Sequence, residues 1–148
     1  MANTEPFVQA ALIAENVLME QDGVASAIRI ADTFTIDDMP DGMPANIKPA
    51  FALNVLLMLK SGDVSGESEI ELVMRSPNGE AKSLGAKSVV LQGGISGANV
   101  KMSLSVLGLV YGDPYWLDVL WGPERKRLTS IPFRFKRSEP PTEGQPKK

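Results

Sequence analysis

The chain has 148 residues, 43% hydrophobic and 22% charged, which suits a single domain of ordinary globular composition. It contains no histidine and no cysteine, which excludes disulfides, thiolate nucleophiles, zinc–cysteine sites, imidazole bases and histidine metal centres. Only a hard cation held by oxygens would remain, and no cofactor or metal is expected.

The net charge of −3 is unevenly spread: residues 1–41 carry acids against Arg29 alone, while basic residues dominate from Glu124 onward. A pI near 5.0 argues against a dedicated nucleic-acid binder. Nucleic acid is therefore not expected as a partner. The opening Met-Ala-Asn-Thr-Glu-Pro lacks the positive charge of a secretory signal, and the longest apolar runs, such as 55–59, fall far short of a span of about 18 residues. A cytoplasmic chain with no membrane partner is expected.

Along the chain, alternation with period two dominates. Residues 7–14 read as a weak first strand. Residues 10–20 are rich in helix formers, so a short helical turn near 14–20 stands as an alternative before the Asp22-Gly23 turn. In 28–36, Ile28, Ile30, Phe34 and Ile36 share one face, interrupted by Asp32. Asp37, Asp38 and Asp41 follow. They lack the spacing and the bidentate Glu of a calcium loop and read as a solvated turn. The proline-punctuated stretch 40–49 reads as a crossing between sheets.

Residues 51–59 are apolar on both faces, predicting a central, well-covered strand or a subunit interface. In 67–75, Ile70, Leu72 and Met74 alternate with Glu67, Glu69, Glu71 and Arg75, the cleanest half-buried strand in the chain. Ser76-Pro77-Asn78-Gly79 is a turn. A weak strand at 88–92, the glycine-rich stretch 93–97 and a strand at 101–106 come next. Those glycines match no phosphate-binding loop and read as a flexible connection. Tyr115, Leu117, Val119 and Trp121 then alternate with Trp116, Asp118 and Leu120, and Ile131, Phe133 and Phe135 with Pro132 and Arg134. Proline cannot donate to a ladder, so Pro132 predicts an edge strand or a bulge.

The predicted fold is all-β: an antiparallel two-layer β-sandwich of about eight strands, immunoglobulin-like or jelly-roll-like. One domain is expected over 1–137, with a disordered proline-rich tail over 138–148.

Three constellations could carry function. Tyr115, Trp116, Asp118 and Trp121 could bind a carbohydrate or small ligand, since aromatic platforms suit sugar rings. A carboxylate pair of Asp113 and Asp118 would be a catalytic arrangement that needs neither histidine nor metal, although Asp113 reads better as a turn residue. Arg125, Lys126, Arg127 and Arg134, joined by Lys136 and Arg137, could contact a partner.

The opening Ala11-Leu-Ile-Ala-Glu15-Asn-Val-Leu-Met-Glu-Gln-Asp22-Gly23, followed by Ile28-Arg-Ile-Ala-Asp32, resembles that of a family of bacterial all-β proteins with a domain of unknown function. The close, Tyr115-Trp-Leu-Asp-Val-Leu and then Leu128-Thr-Ser-Ile131-Pro132-Phe133, is similar too. The resemblance covers roughly 8–136 and departs at the connection 37–49. It implies a fold and transfers no functional residues. The chain is expected to be a non-catalytic module acting through another protein or self-association, with carbohydrate or small-ligand binding as the alternative.

Overall fold

A computed structural model of the chain describes residues 5–21, 23–36 and 50–138. The described residues form strands and no helix: β1 (Phe7–Met19), β2 (Ala25–Ile30), β3 (Thr33–Ile36), β4 (Ala50–Arg75), β5 (Ala81–Leu107), β6 (Tyr115–Trp121) and β7 (Lys126–Arg137). They build one open mixed sheet of seven strands in the order β2-β1-β4-β6-β7-β3, with β5 on the other side of β4. The all-β expectation holds at that level. The division into two separate sheets of about eight strands does not, because four predicted strands are halves of two long ones.

β4 joins the predicted strands 51–59 and 67–75, and β5 joins 88–92 and 101–106. The ribbon turns at Ser76–Gly79, where the Gly79 amide donates to the Ser76 carbonyl and Gly79 takes φ +89°. The first half of β4 lies between β1 and β5, and the second between β6 and β5.

Buried positions change parity along β4. Leu53, Val55, Leu57 and Leu59 are odd-numbered, Ile70, Leu72 and Met74 even-numbered, yet all belong to one core. Strict alternation would put the two sets on opposite faces. A bulge removes the conflict: β4 takes three steps from Gly62 to Ser65 while β5 takes two from Gln92 to Gly94. β5 changes phase as well, burying Val89 and Leu91 before the bend and Val100, Leu104 and Val106 after it. The glycines 93–97 thus lie within a strand, contrary to the flexible connection expected. Gly93 and Gly94 take φ of +82° and +66°, and a Cβ on Gly97 would collide with the Leu59 carbonyl oxygen.

The bend brings both halves of the sheet onto the same core. Phe51 of β4 packs against Phe135 of β7 at 5.4 Å and Phe34 of β3 at 5.1 Å, and Tyr115 stacks on Phe133 at 5.3 Å. The two halves of β5 also approach one another, with the Lys87 ammonium donating to the Lys101 carbonyl.

No helix forms near 14–20; β1 continues to Met19 and turns at Gly23 into β2. Local propensity yields here to packing. Val17, Ala25 and Ala27 cover Leu56 and Met58 on the back of β4, and the Gly23 carbonyl accepts a hydrogen bond from the Asn99 side chain on β5. The well-covered strand expected at 51–59 is therefore covered on both faces from within the chain. The predicted strand 28–36 is divided: β2 pairs with β1, while β3 pairs in parallel with β7 at the far edge. Ile28 and Ile30 are exposed and Phe34 is buried.

Pro132 fits its position for a simple reason. The Arg134 amide donates toward β3, to Asp32, so the position two residues earlier faces the same side, beyond the end of β3. A missing donor costs nothing there. The acidic stretch Asp37, Asp38 and Asp41, the crossing 40–49 and the tail from 139 lie outside the described residues.

Replacing Gly97 by Ala is expected to destabilise the fold by about 1–3 kcal/mol, since the backbone of Leu59 must move. Urea unfolding measures it, and an unchanged midpoint would show that the bend does not need glycine there.

Candidate functional site

The seven residues of β6 are divided cleanly by the pleat. Tyr115, Leu117, Val119 and Trp121 point into the core, and Trp116, Asp118 and Leu120 point outward. Tyr115 is 2% exposed, and its hydroxyl accepts a hydrogen bond from the Val110 amide at 2.8 Å. Trp121 is 6% exposed, its edge bordering a shallow hollow of about 350 Å³ with Val64, Ser68 and Pro123. Trp116 is 37% exposed. The predicted carbohydrate platform of Tyr115, Trp116 and Trp121 is therefore not assembled: alternation places one ring on the face opposite to the other two.

Asp118 shares the outer face with Trp116, but its oxygens are engaged. Arg75 Nε donates to Oδ2 at 2.7 Å, Arg75 Nη2 to Oδ1 at 3.0 Å, and the Ser130 hydroxyl donates to Oδ1. Burial pushes the Asp118 carboxyl up, and the hydrogen bonds from Arg75 and Ser130, with the charges of Arg75 and Arg127, outweigh it and hold the carboxyl below its ordinary value. The same bond to Asp118 raises Arg75. Asp118 acts here as a structural clamp across β4, β6 and β7. Asp113 is exposed in the preceding turn. The Arg75 guanidinium, held by Asp118, lies 5.8 Å from the centre of the Trp116 ring.

The predicted basic cluster divides as well. Arg125, in the turn with φ +53°, bonds Glu71 at 2.7 Å, and Lys126 pairs with Glu5 at 3.1 Å. Arg137 lies over the Tyr111 ring at 4.7 Å. Arg127, Arg134 and Lys136 remain on the outer face of β7. Ladder register fixes their direction: Leu120 opposes Arg127, Asp118 opposes Ser130, Trp116 opposes Pro132, and β7 alternates onward to Arg134 and Lys136. Arg134 Nε donates to Thr33 Oγ1 at 3.2 Å. Beside it a groove of about 240 Å³ is lined by Asp32, Thr33, Pro114, Pro132, Phe133 and Arg134.

The outer face is thus polarised. Glu67, Glu69 and Glu71 project from β4 on the side of β5, with Glu71 held below its ordinary value by Ser83 and Arg125. On the other side Arg75 lies at Trp116, and Arg127, Arg134 and Lys136 are spaced along the neighbouring strand β7. Arg75 was not among the predicted site residues. Its place on the polar face of 67–75 was readable, but its partner Asp118 stands 43 residues away. Among the described residues, no group of three or more acidic side chains stands close enough to hold a metal ion. No helix among them is long and apolar enough to cross a membrane.

No family model and no curated protein matches this chain. Among solved structures, the Pseudomonas fluorescens alkylpurine DNA glycosylase AlkC, bound to DNA containing an abasic site analog, is similar over 91% of this chain and 31% of that one, with 13% identity and a TM-score of 0.49. The chain spans about a third of that protein's length. The matched structure is an enzyme bound to DNA, which runs against the two expectations that this chain is not an enzyme and that nucleic acid is not a partner. At that identity and TM-score it assigns no reaction, ligand or partner to this chain.

The clamp has a pH signature. Asp118 titrates lower in the folded chain than in the unfolded one, so its contribution is complete above the unfolded value near 4 and is lost as pH falls through the folded value. Asp118→Asn is expected to cost about 1–2 kcal/mol at pH 7, with the gap to wild type narrowing below pH 4. A gap in urea unfolding that is independent of pH would contradict the clamp.

Proposed function

We propose that this chain binds an extended anionic partner along the outer face of β6 and β7, with Trp116 at the centre of the contact. The observation that carries the reading is the segregation of charge on that face. Arg127, Arg134 and Lys136 project from one side of one strand, and Arg75 is fixed beside a solvent-facing indole. The strand rises about 3.4 Å per residue, so Arg127 and Lys136 lie roughly 30 Å apart, a length that suits a linear polyanion.

Support also comes from the rigidity of the face. A clamped Asp118 leaves the cations in excess there while tying three strands together, and ordered cations lose little entropy on binding. The two halves of the curled sheet face one core, which leaves their other side available for contacts. An acidic protein segment and a nucleic-acid strand both meet the description of the partner.

A chain of net charge −3 is retained by an immobilised polyanion only if its cations are segregated. Retention on heparin at low salt is expected, with an Arg134→Ala/Lys136→Ala variant eluting at clearly lower salt. Flow-through of the wild type, or unchanged elution of the variant, would refute the reading.

A further inference from the structure

We infer that the anionic partner is a single-stranded nucleic acid, with an unpaired base stacked on Trp116 and its phosphates on Arg127, Arg134 and Lys136. The inference rests on the anionic-face reading above and adds the class of partner to it.

The central residue of the track decides between the candidates. Carboxylates of an acidic peptide would be served by the cations alone, and gain nothing from the face of an indole, which is the negative part of the ring's quadrupole. The Arg75 guanidinium lies over one side of the ring at 5.8 Å, and a base stacks on the other side whatever its sequence. Trp116 sits midway along the stripe: Pro132 opposes it on β7, Arg134 and Lys136 lie to one side, and Arg127 to the other. Cations flanking a ring in this way match the combination of phosphate contacts and base stacking by which single strands are held without sequence preference. Alternate residues on β7 stand about 7 Å apart, so Arg134 and Lys136 can meet neighbouring phosphates of an extended strand.

A duplex fits less well. Its bases are already stacked on one another, and reading them requires an element that enters a groove. Among the described residues, the outer face of β6 and β7 is part of a sheet surface with no projecting helix or ribbon. The groove beside Pro132 and Arg134 is lined in part by Asp32, an acid that disfavours a phosphate at that point and directs the strand along the Trp116 side.

The test is fluorescence anisotropy of the full chain with three labelled probes: a twelve-nucleotide oligothymidine, the same backbone without bases, and polyglutamate of similar length. Oligothymidine is expected to bind most tightly, with a log–log salt slope of roughly −2 to −3 for three or four phosphate contacts. Trp116→Ala is expected to weaken it about tenfold and Trp116→Phe much less. Unchanged Trp121 fluorescence in these variants verifies folding. If the abasic backbone and polyglutamate bind as tightly as oligothymidine, and Trp116→Ala changes nothing, the nucleic-acid inference falls while the anionic face stands. Tighter binding of a duplex than of the single strand overturns it as well. If no probe binds and heparin fails to retain the chain, both readings fall.

Discussion

A straight strand of 26 residues would be about 85 Å long, roughly twice the diameter of a globule of this size. The β4–β5 ribbon therefore has to bend, and the way it bends determines almost everything else. Because the bulge between Gly62 and Ser65 shifts the phase by one residue, the apolar positions of both halves stay on the inner side. Without that shift either 53, 55, 57 and 59 or 70, 72 and 74 would face solvent, at about 1.5–3 kcal/mol for each large side chain exposed. Gly97 allows the two strands to approach at the bend, and the remaining strands add to edges that this curled ribbon provides.

The outer face follows from the inner one. Once Leu117, Val119, Phe133 and Phe135 are committed to the core, alternation turns Trp116, Asp118, Arg134 and Lys136 outward. The second half of β4 brings its glutamates to one side of that surface and Arg75 to the other. Asp118 then links Arg75, Ser130 and three strands, so that the indole and a guanidinium are presented together. The surface is polarised through strand pairing that no linear reading specifies, its acids coming from β4 and not from the acidic first third of the chain.

Local periodicity was legible in the sequence and connection was not. The runs around Ile70 and around Leu117 identified their buried faces correctly, because period two depends only on neighbours in the chain. Pro132 predicted an edge strand or a bulge, and β7 is neither an edge nor bulged there: β3 pairs with it from Arg134 onward, and only the stretch around Pro132 is unpaired on that side. The glycines at 93–97 misled, since glycine marks a loop and a strand bend equally well. The helix formers at 10–20 misled because the covering of Leu56 by Val17 outweighs propensity. On β6, Trp116 and Asp118 share the outer face as their alternation implies, whereas Tyr115 and Trp121 were grouped with them against their own alternation. Arg75 was missed because its role depends on Asp118, 43 residues away.

The two indoles lie on opposite sides of β6, and this offers the most direct test. In proton–nitrogen spectra the chain should give two indole N–H signals. On titration with oligothymidine, the account predicts that the Trp116 signal moves along with the amides around Arg134, while the Trp121 signal stays in place. Movement of Trp121 with Trp116 unchanged would place the contact elsewhere and contradict the account.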